Sequence, residues 1–481
     1  MERVPEDSYQ PVLSSRYGQK SPLNHLFSER NKTETWRQLW INLSEAENEL
    51  GLEQVTAEMI EEMKQQKTNI DWEYVRAEEK RIKHDVMAHN HAYGKVCPKA
   101  AGVIHLGATS CYVQDNADLI LQREALDLLT KRLAVCIKRL GDFAEKYAEL
   151  VCVGRTHYQA ASLTTVGKRA CLWAQELLMA LECVVDFREN MRFRGIKGAT
   201  GTQDSFLTLF AGDENLVEQL DWLVTKKAGF TKKFNITGQT YSRQHDSKLL
   251  FALSNFGSVA HKICLDIRCL QAFDEIREPF EADQIGSSAM PYKRNPIKCE
   301  RICGLARHLM GCVAEPLGTL SVQGLERTLD DSSNRRVVIP EAFFTAEAIL
   351  VTLQNVLEGL NVESATISRN VEKELPFLAL EKALMLLTKV GVSRQEAHAK
   401  IRETALKGKE MQDHEKVTIE NLLSEPFYDQ VKKEVITMCS NPLNFCGRCV
   451  SQTWTFLANE LRPAIKKILS NTNDEKVSLD I

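Results

Sequence analysis

Apolar residues recur along most of the chain at intervals of three and four, the spacing that lays one stripe along an α-helix. Trp36, Leu39, Trp40, Leu43, Ala46 and Leu50 form the first such stripe. The longest runs from Asp115 to Leu150 with no proline and a single glycine, and Leu119, Leu126, Leu129, Leu133, Cys136, Leu140, Phe143 and Tyr147 keep a near-heptad rhythm. At 1.5 Å per residue this predicts a helix of about 50 Å. Similar stretches at about 162–194, 244–281, 296–320 and 340–361 predict four more long helices, each bounded by loops with glycine or proline. Strand-like alternation is scarce, with short candidates near Val151–Val153 and Phe234–Ile236.

The pattern predicts an all-α fold of three helical domains: 1–109, a central five-helix bundle over 110–362, and 363–481. In the last of these the rhythm shortens and Pro376, Gly391, Pro426 and Pro442 break the helices. Residues 1–24, holding Pro5, Pro11 and Pro22, read as an extended arm without a helix of its own. Residues 471–481 read as a frayed tail. Long helices with wide apolar faces cannot bury all of that surface against one neighbour, which predicts a homo-oligomer with a helical core.

Charge narrows the function. Across 481 residues, 61 Lys and Arg against 65 Asp and Glu leave −4, so no bulk positive field exists to hold a nucleic-acid backbone. An anionic ligand has to be met by a local cluster of cations. No uninterrupted apolar run reaches the ~18 residues of a membrane helix. The acidic, proline-containing start lacks the pattern of a signal peptide, and fourteen scattered cysteines read as reduced packing residues, so a cytoplasmic location is expected. Cys446 and Cys449 have half-site spacing for zinc or redox chemistry, but no second pair lies at a suitable distance.

Five segments carry chemistry. Gln284-Ile-Gly-Ser-Ser-Ala-Met-Pro-Tyr-Lys-Arg-Asn-Pro296 is a polar, glycine-containing loop between two long helices, either a functional loop or a solvated connector. Gly154-Arg-Thr-His-Tyr-Gln159 sets a histidine beside hydroxyl groups, either a proton donor to a leaving amine or a structural residue. Gly195-Ile-Lys-Gly-Ala-Thr-Gly-Thr-Gln203 is a glycine-rich turn without the Gly-Lys-Ser/Thr ending of a nucleotide P-loop. The offsets of His84, His89 and His91 put no metal-ligand pair on one helical face. Glu326-Arg-Thr-Leu-Asp-Asp-Ser-Ser-Asn-Arg-Arg336 is either an anion clamp or a salt-bridged turn.

Gly154–Gln159, Gly198–Gln203 and Gly286–Pro296, in this order, resemble the three signature regions of the fumarase/aspartase superfamily, whose members release fumarate from succinyl compounds. Met290-Pro-Tyr-Lys-Arg-Asn-Pro296, Ser15-Arg-Tyr17, His84-Asp-Val-Met-Ala-His89, Gly107-Ala-Thr-Ser110, Ile236–Ser242 and Arg327–Arg336 are similar to the animal-type branch that acts on adenylosuccinate. The resemblance implies fumarate release from adenylosuccinate, giving AMP, and from SAICAR, giving AICAR, with no cofactor or metal. It also implies a homotetramer with a twenty-helix core and active sites shared between subunits, without nucleic-acid or membrane partners. His157 is implied as general acid and Ser287 as base. Lys293 and Asn295 are implied to hold the succinyl carboxylates, and Arg16, Tyr17, Arg301, Arg327, Ser332 and Arg336 the nucleotide. His84, Asp85, Thr109, Ser110 and Gln239 complete the implied substrate contacts. Lys83 stands where that branch usually has arginine, which loses a bidentate phosphate grip. A sister lyase of the argininosuccinate or fumarase type and a catalytically silent helical scaffold are the competing readings.

Overall fold

The computed structural model describes residues 8–470 and 475–479. The expected arm lies partly outside these residues. Where it is described it holds two short helical segments, a π-helical turn at Leu13–Tyr17 and one α-turn at Leu23–Leu26, joined by irregular chain. Ser15 returns both its N–H (3.0 Å) and its hydroxyl (2.9 Å) to the Pro11 carbonyl. Pro22 occupies the N-cap of the second turn, where a missing N–H costs nothing.

Helix α1 (Glu29–Glu49) begins where the Ser28 hydroxyl accepts the Asn31 N–H, and it buries Trp36, Leu39, Trp40, Leu43 and Ala46. Helices α2 (Ala57–Gln65), α3 (Trp72–Ile82) and α4 (Asp85–Val96) follow. The 37-residue α5 (Ser110–Lys146) then carries the near-heptad stripe, which is buried from Leu119 to Phe143.

Helix α6 (Val166–Glu189) starts later than periodicity predicts, because Gln159–Thr165 is a strand paired antiparallel with Val151–Thr156. The Val151–Val153 strand expectation thus corresponds to one half of a hairpin. Thr165 ends the ribbon and caps the helix, its hydroxyl accepting the Lys168 N–H. At Gly167 a Cβ would stand 2.4 Å from the Ala144 carbonyl, so α5 and α6 meet at a distance only glycine permits. The Phe234–Ile236 strand does not form. A single bridge joins Phe193 to Lys233, after which the chain turns away and leaves Ile236 exposed.

After α7 (Glu214–Lys227), helix α8 (Gln244–Ala272) stops short of its predicted end. Asp274 takes a left-handed φ of 54°, and Ile276–Arg277 pairs instead with Asn361–Val362. The predicted 296–320 helix is two, α9 (Ile297–Gly311) and α10 (Ala314–Val322), because Pro316 has no N–H to return to the Cys312 carbonyl. Helix α11 (Asp330–Glu358) begins ten residues before its prediction, with Asp330 and Asp331 favoured at the positive N-terminal end, and passes through Pro340. It is long and apolar enough to cross a membrane, with an 18-residue window at mean hydropathy 1.5, yet 72% of that window is buried within the protein. It packs against α5, α8 and α9 as the centre of the core.

Pro376 does not break α12 (Ser364–Lys389), whereas Gly391, Pro426 and Pro442 do lie between helices. Helices α12, α13 (Arg394–Gln412) and α14 (Asp429–Cys439) enclose a second core around Leu380, Leu387, Leu423, Tyr428 and Val435. Helices α15 (Cys449–Phe456) and α16 (Arg462–Leu469) return to the first core, where Leu461 sits against Gly141 of α5. All fourteen cysteines are free, and the Cys446 thiol donates to the Thr164 carbonyl. Residues 471–474, 480 and 481 of the expected tail lie outside the described residues. Residues 475–479 lie along α11, where Asn355 donates to the Val477 carbonyl at 2.9 Å and Glu358 accepts the Val477 N–H at 3.1 Å.

Candidate active site

The corner between α3 and α4 turns on Lys83, which is exposed and left-handed at φ 58°, and on His84, which caps α4. The His84 Nδ1 accepts the Met87 N–H, and its Nε2 lies 3.3 Å from the Ser110 hydroxyl at the start of α5. Thr109 occupies the α5 N-cap without spending its side chain there. Asp85 holds Arg336 at 2.6 Å and accepts from Gln114, drawing α4, α5 and α11 together. Burial pushes the Asp85 carboxyl upward, but the Arg336 guanidinium and the Val86 N–H outweigh it and hold the group below the ordinary carboxylate range.

Beside this corner a cavity of about 360 Å³ is lined by Gln114, Arg327, Ser332 and Arg336, with Lys32 at its rim. Its floor is a buried ionic network that motif reading missed. Arg243 holds Asp115 through both terminal nitrogens (3.2 and 3.0 Å) and Asp331 through Nε (2.8 Å), and Asp331 holds Arg327 at 2.7 Å. Arg335 pairs with Asp246 at 2.7 Å and Asp118 at 2.9 Å. Burial opposes the Arg243 charge, but Asp115 and its neighbours overcome it and raise the guanidinium further. The available signal was the i, i+3 spacing of Asp115 and Asp118 in the first turns of α5, among residues that are otherwise uncharged up to Arg123. Gln239 is fixed nearby, its N–H on the Glu326 carbonyl and its side-chain amide on the Ala199 carbonyl of the second glycine-rich turn.

Arg16, Tyr17 and Arg301 meet elsewhere, with the Arg301 guanidinium 5.6 Å from the Tyr17 ring centre. They line a cavity of about 500 Å³ together with Lys20, Lys131 and Arg132.

His157 stands at the tip of the β-hairpin. It and Tyr158 form a two-residue turn with φ of 53° and 60°, the left-handed pair that fits a twisted ribbon. Both side chains are exposed. Arg155 ties the hairpin to the buried Glu275 at 3.4 Å. Ser287 lies on the 279–296 loop, half-buried, its hydroxyl accepting the Met290 N–H at 3.1 Å. Asn295 donates to the Gly286 carbonyl at 2.7 Å, and Lys293 is exposed.

One chain therefore gathers Arg327, Ser332 and Arg336 around one cavity, with Asp85 joined to it through Arg336 and His84 paired with Ser110 at the adjoining corner, and Arg16, Tyr17 and Arg301 around another. Among the described residues no hydrogen bond or ion pair joins His157, Ser287 and the His84 corner. No three His, Cys, Asp or Glu side chains among the described residues gather into a metal-binding group.

A lyase family model matches residues 8–311. An adenylosuccinate lyase of Caenorhabditis briggsae is 60% identical over 476 residues, covering 99% of each chain. Another, of Saccharomyces cerevisiae, is 46% identical over 481 residues, again covering 99% of each. The chain belongs to the adenylosuccinate lyase family. Its fold is shared more widely. A fumarate lyase from Mesorhizobium sp. BNC1 superposes with a TM-score of 0.79 at 19% identity over 91% of this chain and 97% of that one. A 3-carboxy-cis,cis-muconate lactonizing enzyme from Pseudomonas putida gives 0.78 at 19% identity over 93% and 97%. In this adenylosuccinate lyase family member the two cation-rich cavities share no lining residue, and neither is lined by His157 or Ser287.

Proposed function

We propose that the chain releases fumarate from adenylosuccinate to leave AMP, and from SAICAR to leave AICAR, through a site completed by other copies of itself. The observation that carries this reading is full-length kinship with relatives named adenylosuccinate lyase. Two clusters of arginines with hydroxyl and imidazole groups fit it, since a succinylated nucleotide brings two carboxylates and a phosphate. In the proposed step Ser287, as its alkoxide, takes a proton from the carbon beside a succinyl carboxylate. The electrons left on that carbon form the new C=C bond as the C–N bond breaks, and His157 protonates the departing nitrogen. A serine hydroxyl is a weak acid, so Ser287 needs preorganised donors and nearby cations, for which Lys293 is the nearest candidate in sequence. Lys293 and Asn295 would hold the carboxylates. Arg16, Tyr17, Arg301, Arg327, Ser332 and Arg336 would hold the nucleotide, with His84, Asp85, Thr109, Ser110 and Gln239 supporting it.

The proposed assembly is a homotetramer in which five long helices from each copy build the core. Exposed apolar residues on those helices support it: Leu172 and Met179 on α6, Phe251 and Leu265 on α8, Val337 on α11. The division at about 109 and 362 belongs to the same reading, and the separate core around α12–α14 supports its third part. Fourteen free thiols support a cytoplasmic location. The decisive experiment is an ultraviolet assay on the purified protein. Loss of the adenylosuccinate chromophore with stoichiometric fumarate is expected. Turnover only of argininosuccinate or of fumarate itself, or no turnover of any of them, would overturn the proposal.

A further inference from the structure

Helix α9 begins directly after the Ser287 loop, and its N-cap is Pro296, which has no side-chain oxygen to satisfy the first N–H groups. The cap comes from across the loop. Glu278, only 4% exposed, accepts the Lys298 N–H on Oε1 at 3.0 Å and the Cys299 N–H on Oε2 at 2.8 Å. Gln271, in the last turn of α8, completes the tie. Its Oε1 accepts the Glu278 N–H at 3.3 Å, and its Nε2 donates to the Arg294 carbonyl at 2.7 Å.

These contacts close the neck of the loop on both sides and fasten it to the bundle. The outgoing stem is held by the pairing of Ile276–Arg277 with Asn361–Val362 and by Pro279, which fills the space a Cβ on Gly359 would need. The returning stem is held through Arg294, and the next residue, Asn295, reaches into the loop to the Gly286 carbonyl. At Gly286 a Cβ would stand 2.1 Å from the Lys293 carbonyl, so the two sides of the loop touch immediately before Ser287. An unbroken series of hydrogen bonds and peptide links thus runs from Glu278 through Gln271, Arg294, Asn295 and Gly286 to Ser287. Within the loop, Glu281 adds one ion pair to Lys298 of α9 at 3.5 Å, and the Arg294 guanidinium lies 5.2 Å from the Phe280 ring centre.

We propose that Glu278 and Gln271 are positioning residues for Ser287, a clamp that sets where the loop pivots and so where the serine hydroxyl stands against the carbon it deprotonates. This rests on the reaction proposed above. Misplacing a reacting group by about 1 Å costs on the order of 10²-fold in rate. A clamp that acts on the base and not on the nucleotide lowers kcat and spares KM.

The test uses the full-length protein with Glu278→Ala, Glu278→Gln and Gln271→Ala, read by steady-state kinetics and by limited trypsin digestion at Lys293 and Arg294. For Glu278→Ala and Gln271→Ala the expected result is a kcat on adenylosuccinate lowered at least about 10-fold, a KM within about 3-fold of the parent, and faster nicking at the loop. Glu278→Gln is expected to fall between parent and alanine, because its amide keeps one accepting oxygen but turns an N–H toward a second N–H. Parental kcat and parental nicking in both alanine variants would overturn the clamp. So would a lowered melting temperature with parental kcat per folded tetramer, which marks a merely structural role. If Glu278→Ala does not fold, Gln271→Ala decides, since that side chain reaches the loop from an already formed helix. If the parent protein itself leaves adenylosuccinate intact, the proposed reaction falls, and the trypsin arm still reads the clamp.

Discussion

His245 lies fully inside the bundle, with Nε2 2.9 Å from the Gln122 side-chain oxygen and its ring edge-on to Tyr241. Burial brings its pKa down to about 4; Asp246 pulls the other way, while Arg335, Arg243 and Lys248 reinforce the burial. His89, edge-on to Trp36 and Trp72, is brought to about 4 by burial, with Arg37 and Lys32 reinforcing and Asp85 opposing. Unfolding returns both imidazoles to an ordinary pKa near 6.5, so the unfolded chain binds more protons between those limits. These two imidazoles should therefore leave stability level above pH 6.5 and lower it as the pH drops toward 4, by about 2 kcal/mol per histidine at pH 5, against the opposing trend of Glu47, whose carboxyl burial raises to about 9. Urea midpoints of the parent and of His245→Gln at pH 7.5, 6 and 5 isolate this contribution, and a midpoint difference that does not change with pH contradicts it. His157 and Ser287 behave differently, because one is exposed and the other accepts a single loop N–H. His157→Ala and Ser287→Ala should keep the parental melting temperature and lose about 10²–10⁴-fold in kcat. Near-parental turnover by either purified variant would remove it from its proposed role.

Between elements, the strongest ties are the alternating charges that join α5, α8 and α11. Asp331 stands between Arg243 and Arg327, and losing its charge leaves the half-buried Arg327 without its carboxylate and the buried Arg243 with Asp115 alone. Asp331→Asn should cost on the order of 3 kcal/mol and raise KM for the nucleotide by loosening Arg327, as read by urea titration and steady-state kinetics. A stability within 0.5 kcal/mol of the parent, roughly the scatter of a surface change, would show that the network does not couple the helices. This tie also marks the limit of sequence reading. The long stripes are legible because Leu119 to Phe143 obey one period over about seven turns, and tertiary packing did not override it. The start of α11 is not, because Asp330, Asp331, Arg335 and Arg336 look like a solvated turn until Asp118 and Asp246 are brought up to Arg335, Asp85 to Arg336 and Arg243 to Asp331. The strand at Gln159–Thr165 hides for a related reason. Its Ala160, Ala161 and Ser162 carry no alternation, and only pairing with Val151–Thr156 makes them a strand. The capping role of Glu278 is likewise invisible, since it acts on N–H groups twenty residues later in the chain.

At the scale of the whole molecule, the placement of His157 and Ser287 makes a quantitative statement about assembly. The hairpin tip and the 279–296 loop share no hydrogen bond or ion pair among the described residues, and the proposed sharing of sites between subunits leaves open which copy supplies each residue. If each site takes its histidine from one subunit and its serine from another, a protein lacking either residue can be repaired by mixing. His157→Ala subunits supply intact serines and Ser287→Ala subunits supply intact histidines. Random reassembly of equal amounts gives each site a chance of one half for each residue, so about one quarter of the sites are complete. Denaturing the two inactive variants together and refolding them should therefore restore about one quarter of the parental activity, while each variant refolded alone stays inactive. The same mixture combined without denaturation should recover only as fast as subunits exchange, which separates reassembly from contamination by active protein. No recovery in refolded mixtures whose sedimentation shows intact hybrid oligomers would mean that both residues of a site come from one subunit, and the shared-site reading would be lost.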